Sequence, residues 1–287
     1  GKRKGNTNFK MAITNSNILK GLRASFLLGW RIETNWANIV IVFLVKCSKP
    51  FAVALVLSAM YTIASGPDAT IEDLAWAIVG VCLWGFIQSA TELYSFSVIG
   101  EREWFRNIKN IITAPTPLYV YLLGRTALWI PVGLLNFIVI ISFANYFLFL
   151  NLRISNILYL EFFTFMILGF ISVISLGMFV AGISLVTPRF SEGVAFGVTG
   201  VLYLISGSII KTEMLPSRIQ FYSEVLPFTH WIEIVRYTLF PYFRESTPPY
   251  DKFLITTSVF FLFANLVYLF LLKHARKSGK IDLATMY

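Results

Sequence analysis

The chain predicts an all-α polytopic membrane protein, and three observations carry that prediction. Of its 287 residues, 56% are hydrophobic and 16% aromatic, while only 14% are charged, a balance of membrane proteins rather than soluble domains. Six apolar runs each reach the roughly 20 residues needed to cross a bilayer. Basic residues collect in alternate connecting segments, which is a topology signal. The net charge of +9 therefore speaks for membrane orientation and against nucleic acid as a partner. Cys47 and Cys82 both lie inside apolar runs and read as small buried hydrophobes, so no disulfide framework is expected.

Residues 1–36 read as a cytoplasmic N-terminal segment. Its opening, GKRKGNTNFK, is basic and polar, without the apolar region of a signal peptide. From Asn17 to Trp30 the apolar Ile18, Leu19, Leu22, Phe26 and Trp30 share one helical face, with Lys20, Arg23 and Arg31 elsewhere. Thr14, Asn15, Ser16 and Asn17 supply candidate N-caps. The pattern predicts an amphipathic helix lying in the headgroup plane.

Residues 37–272 read as the transmembrane domain. The first span, about 37–64, is long enough to tilt or break and is interrupted by Lys46, Lys49 and Pro50. Those lysines either snorkel to the near interface or line the mouth of a pathway. A loop with Asp68, Glu72 and Asp73 leads to the second span, about 74–99, which holds Gln88 and Glu92. An intramembrane carboxylate is costly and faces protein or water, so Glu92 is a candidate site; a place near the span's end fits its position equally.

Between the second and third spans lies GEREWFRNIKNIITAPTPLYVYLLGR, residues 100–125. Trp104, Phe105, Ile108, Ile111 and Ile112 predict one apolar helix face, with Arg102, Arg106 and Lys109 opposite. Pro115 and Pro117 end this helix. The third span, about 119–148, contains Pro131, a predicted kink. A link with Asn151 and Arg153 precedes the fourth span, about 158–186, whose Gly169, Gly177 and Gly182 permit close helix approach. A turn over 187–193 leads into the fifth span, ending near Ile210.

Residues 211–252 are the least regular part. Pro216 opens one predicted short helix and Pro227 a second, the latter with Trp231, Ile232, Val235 and Leu239 on one face and Glu233 paired to Arg236 at i, i+3. Such a segment is tolerated at membrane depth where it lines a cavity. The last span, about 253–272, is followed by the basic tail of residues 273–287.

Six spans put both ends on one side. The segment before the first span, residues 100–125, the 187–193 turn and the tail carry most of the Lys and Arg outside the spans, whereas the other loops carry Asp68, Glu72, Asp73, Glu213, Glu224, Glu233, Glu245 and Asp251. The positive-inside rule places both termini in the cytoplasm. The chain has no G-x-x-x-x-G-K-[ST] run, no H-E-x-x-H and no C-x-x-C, which excludes a P-loop and the common zinc motifs. His230 and His274 lie far apart in the topology, leaving no multi-histidine metal site. His230 with Glu233 is the one conceivable general-base pair, and a hydrogen-bonded interfacial pair explains it as well.

Three stretches resemble the membrane subunit of ABC-2 type transporters: Glu101-Arg102-Glu103 followed by Ile111-Ile112-Thr113-Ala114-Pro115 and Leu122-Leu123-Gly124-Arg125; Ile205-Ser206-Gly207 with Leu215-Pro216; and Leu226-Pro227-Phe228-Thr229 running to Glu233 and Arg236. The resemblance covers the chain from about Asn17. It departs where family members carry a Gly-Thr-Leu-Glu-like run, replaced here by Trp104-Phe105-Arg106-Asn107-Ile108-Lys109, which makes this surface more cationic.

The resemblance implies a plasma- or inner-membrane permease subunit without its own catalytic site. Glu101, Arg102, Glu103, Trp104, Phe105, Arg106, Ile108 and Lys109 would form a cytoplasmic coupling helix seated in a separate P-loop ATPase subunit, which would hold the ATP and Mg. A second permease copy or a related paralogue would complete the transporter. Two short re-entrant helices, carrying Pro216, Pro227, Thr229, Glu233 and Arg236, would form an outer gate. Export of an amphipathic drug, peptide or lipid is the expected activity, and export of a lipid-linked glycan is the alternative. Lys46, Lys49, Glu92, Tyr94, Trp129 and Tyr203 are candidate pathway linings, the aromatic ones competing with an interfacial belt. A membrane-embedded lipid-modifying enzyme, centred on Glu92 or His230 and Glu233, is the reading from another class.

Overall fold

A computed structural model of the protein describes residues 15–65, 70–148, 154–188, 191–244 and 247–279, together with Leu150 and Leu152. Of the residues singled out above, Thr14, Asp68, Asn151, Arg153, Glu245 and the end of the basic tail lie outside the described residues, as does the side chain of Lys49. Every regular element among the described residues is helical.

Helix α1 (Asn15–Thr34) packs on α5 (Leu118–Thr126). It does so through Gly21, Ser25 and Gly29, spaced i, i+4, i+8. A Cβ on Gly29 would come within 2.2 Å of the Arg125 carbonyl oxygen, and one on Gly124 within 2.8 Å of the Ser25 Cβ. Small residues thus let the two backbones meet. The predicted apolar stripe points the other way, and Leu19, Leu22 and Phe26 are exposed.

Five described helical segments are long and apolar enough to cross a membrane: Ile39–Met60, Ile71–Trp104, Leu118–Phe147, Tyr159–Val186 and Tyr250–Lys277. The first lies within α2 (Ile39–Ser65). The second is α3 (Ile71–Ile99), whose Thr70 cap accepts from the Asp73 amide, extended by a π-helical turn over Gly100–Trp104. The third is two helices, α5 and α6 (Trp129–Phe147). Its break falls at Ala127–Leu128, four residues before Pro131, where proline can donate nothing to the Ala127 carbonyl; that oxygen accepts from the Ile130 amide instead.

The fourth and last segments are α7 (Tyr159–Val186) and α11 (Tyr250–Lys277). Between them α8 (Ser191–Ile205) is apolar but only 15 residues long. At about 1.5 Å per residue it spans roughly 22 Å, short of the roughly 30 Å hydrocarbon core. The fifth expected span is therefore the short one, because the chain leaves helical geometry at Ser206 rather than Ile210.

The core centres on α3 and α7. Gly177 admits Tyr94 and Gly169 admits the Trp231 indole, each so closely that a Cβ would collide at 2.2 Å or less. Phe86, Trp129, Phe170 and Trp231 meet edge-on or tilted in one aromatic cluster, geometry that adds to their burial. Hydroxyl pairs Ser95–Ser184 and Ser172–Thr257 tie α3 and α11 to α7. Pro216 caps α9 (Ser217–Val225) and Pro227 is the first residue of α10 (Pro227–Leu239). Helix α10 is buried nearly all round rather than along one face, wedged against α7, α11 and α3.

Candidate functional site

The segment expected to be one amphipathic helix from Glu101 to Ile112 is an elbow of two pieces. The π-turn ends where the Phe105 amide bonds to the Gly100 carbonyl and the Asn107 amide to that of Glu101. Arg106 takes the left-handed conformation there, φ 49°, the geometry that terminates helices and favours glycine. A separate short helix, α4 (Ile108–Thr113), follows.

The predicted faces are inverted at the start of this elbow. Glu101, Arg102 and Glu103 are 4%, 3% and 2% exposed, whereas Trp104 and Phe105 are 58% and 51% exposed. Arg102 is thus not on a solvent face with Arg106 and Lys109, which are exposed. It donates to Glu103 Oε1 at 3.0 Å, to the Ser184 carbonyl at 2.9 Å and to the Pro188 carbonyl at 3.4 Å. A helical repeat places apolar residues inward only while the helix stays regular, and the π-turn shifts the register. Ile108 is buried as expected.

Glu101 accepts a hydrogen bond from Tyr121. Arg125 lies between two carboxylates, with Nε 4.0 Å from Glu101 Oε1 and Nη1 3.9 Å from Glu33 Oε1. Glu33 also pairs with Lys46 at 2.9 Å. One charge chain therefore joins the elbow, α5, α1 and α2. Glu33 was absent from the sequence-based candidates, although it is the only acid in residues 1–36, and that was the available signal. Glu101 and Arg125 are buried, so truncating either would leave the other's charge unmatched, at a cost of several kcal/mol.

Beside the elbow is a cavity of about 520 Å³, lined in part by Glu33, Lys46, Glu92, Trp129, Tyr203 and Trp104. Four of the expected pathway residues thus come together. Lys46 is held by Glu33, and Glu92 accepts from the Gln88 amide at 2.7 Å. Tyr203 stacks on Trp84 at 5.0 Å. Tyr94 is excluded from the cavity and fully buried against Gly177.

At the other end of α3, Arg236 forms a clamp. Its guanidinium stands 3.5 Å from the Trp76 ring centroid. It donates to the carbonyls of Trp76, Gly207 and Ser208 at 3.0–3.2 Å. Gly80 makes the notch for it, because a Cβ there would lie 2.0 Å from the Ser208 oxygen and 2.4 Å from Arg236 Nη2. Gly207 turns with φ 72°, available to glycine at little cost.

The expected Glu233–Arg236 pair is not made. Arg236 turns inward to carbonyls, and the half-exposed Glu233 carboxylate lies 3.9 Å from His230 Nδ1. His230 Nε2 bonds to the Glu224 carbonyl, tying α10 to α9. Thr229 is buried, Pro227 with it, while Pro216 is exposed. Among the described residues no cluster of three potential metal ligands occurs.

These features define a multi-pass α-helical membrane protein whose buried charges brace an elbow between two spans. The profile of the ABC-2 type transporter family matches residues 23–240, and the chain belongs to that family. It is accordingly a membrane permease component of the ABC-2 type, a family whose membrane subunit is normally non-catalytic. No curated protein matches the chain.

Proposed function

We propose that the protein is the permease subunit of an ATP-driven exporter, moving an amphipathic or hydrophobic substrate out of the cytoplasm or inner leaflet. The observation that carries this reading is the elbow. It exposes Trp104, Phe105, Arg106 and Lys109 while Glu101, Arg102 and Glu103 root it in the bundle. A partner pushing on the exposed part would move a body fastened to α7 by Arg102, to α5 by Glu101, and through Arg125 and Glu33 to α1 and α2. The partner is a separate P-loop ATPase subunit that holds ATP and Mg.

Topologically, α8 counts as the fifth of six spans, both termini and the elbow are cytoplasmic, and α9 with α10 forms the outer gate. A second permease copy completes the path. Gly193 and Gly197 on α8, four residues apart with nothing within 4 Å of a built Cβ, support a close helix contact with that copy. Nucleotide-driven closure of the ATPase pair would favour one of two bundle arrangements, the differential binding that any such switch requires.

Cross-linking tests the elbow's role. With Cys47 and Cys82 replaced, Lys109→Cys is expected to cross-link to the ATPase subunit, and Tyr222→Cys on exposed α9 is not. The reverse pattern would put the elbow on the wrong side for coupling.

A further inference from the structure

We propose that the cavity beside α3 binds one amphipathic molecule, with a flat apolar body and a hydroxyl- or amine-bearing head. This inference rests on the transporter reading and assigns its substrate site. The cavity volume of about 520 Å³ falls among those of small-molecule sites, roughly 300–1,000 Å³.

Its wall is one stripe of α3. Val81, Gly85, Gln88, Ser89, Glu92 and Phe96 line it, recurring at helical spacing while most of the helix is packed. Gly85 shows that the space is kept open. A Cβ at Gly80 would strike the Ser208 carbonyl, but one at Gly85 would meet nothing within 4 Å. Gly85 also lies in the helix interior without positive φ, so neither close packing nor backbone conformation calls for glycine. A helical glycine costs about 0.5–1 kcal/mol relative to alanine, and at this position it leaves the cavity wall without a side chain, open to a ligand.

The chemistry along the stripe changes with position. Near Val81 and Gly85 the cavity meets the stacked rings of Trp84 and Tyr203 and the apolar Val53 and Val132. About 10 Å further along the helix it meets Gln88, Ser89 and Glu92, facing the Lys46–Glu33 pair. Flat rings suit the first part, since aromatic faces prefer offset or edge contact with other rings. The second part offers carboxylate, carboxamide and hydroxyl acceptors, and its described ammonium, Lys46, is already bonded to Glu33. A hydroxyl or amine head fits there, and an anionic head does not.

Energy transfer from tryptophan to pyrene tests this, with the permease and its ATPase in phosphatidylcholine nanodiscs without nucleotide. Pyrenemethanol and pyrenemethylamine are expected to give saturable transfer, and pyrenecarboxylate to bind at least about tenfold more weakly; the first two probes tell a hydroxyl head from an amine. Gly85→Leu fills the space and should weaken both by about tenfold or more, the scale of overpacking. Gln88→Leu, which keeps side-chain size, should weaken the headed probes and leave pyrene itself unchanged, so the test survives if Gly85→Leu does not insert. Unsaturable transfer, equal in the wild type and both variants, would overturn the site while leaving a co-purified ATPase untouched. Saturable, Gly85-sensitive binding by a permease that recruits no ATPase would keep the site and remove the transporter reading.

Discussion

Arg102 Nη1 donates to the main-chain carbonyl of Ser184 across 2.9 Å, joining the turn after α3 to the end of α7. The guanidinium spends its donors inside the protein, with Glu103 alongside, so its role is to root the elbow. Its cationic neighbours Arg106 and Lys109 stay outside. These three basic residues are alike by sequence pattern but differ in burial, one rooted in the bundle and two at the surface.

Arg102→Ala removes the guanidinium from Glu103 and from the Ser184 and Pro188 carbonyls, all in a buried setting. A loss of about 3 kcal/mol or more in stability is expected, read as a lowered Tm in detergent, with Arg102→Lys recovering only part because lysine lacks the planar fork. An unchanged Tm in Arg102→Ala would mean that the elbow is not rooted there.

Arg106 occupies a left-handed backbone conformation that costs a non-glycine residue about 1–2 kcal/mol. Arg106→Gly is therefore expected to raise stability slightly, by up to about 1 kcal/mol, in thermal unfolding. A marked decrease would show that the Arg106 side chain, rather than its backbone, is what matters structurally.

Paired charge reversal, Arg106→Glu with Lys109→Glu, should leave insertion and Tm near wild type and uncouple ATP hydrolysis from transport. Including Arg102 would confound the result, since its reversal would bury an unmatched charge. Normal coupling in the double variant would remove the elbow from the drive path.

The Arg236 clamp predicts that Arg236→Met and Gly80→Ala share a phenotype. One removes the donors, and the other pushes Ser208 and Arg236 out of their notch. Each should speed labelling of a cysteine placed at Ile210, the exposed residue beside the clamp, and the double variant should be far from additive because both act on one contact. Strict additivity would separate the two sites.

Much of the helical layout was legible from hydropathy and proline, because spans need long apolar runs and Pro216, Pro227 and Pro131 each act locally. The elbow's interior was not. A 3.6-residue repeat assumes a regular helix, and neither the π-turn nor the left-handed Arg106 has a signature in that repeat. Glu233 and Arg236 satisfied the i, i+3 rule, yet the guanidinium found carbonyls and an indole brought close by Gly80 and Gly207, contacts with residues 28 to 160 positions away in the chain. Lys46, Glu92, Trp129 and Tyr203 were recognisable as costly or aromatic residues within spans, but their convergence on one cavity depends on how α2, α6 and α8 pack around α3, and the exclusion of Tyr94 on α3 meeting α7 at Gly177.

The most direct test of the central claim is gentle purification of the native protein in nanodiscs, with mass spectrometry of whatever accompanies it. The account predicts a P-loop ATPase at one copy per permease, released by Arg106→Glu with Lys109→Glu. A clean oligomer of this chain alone, repeated under the mildest conditions, would contradict it.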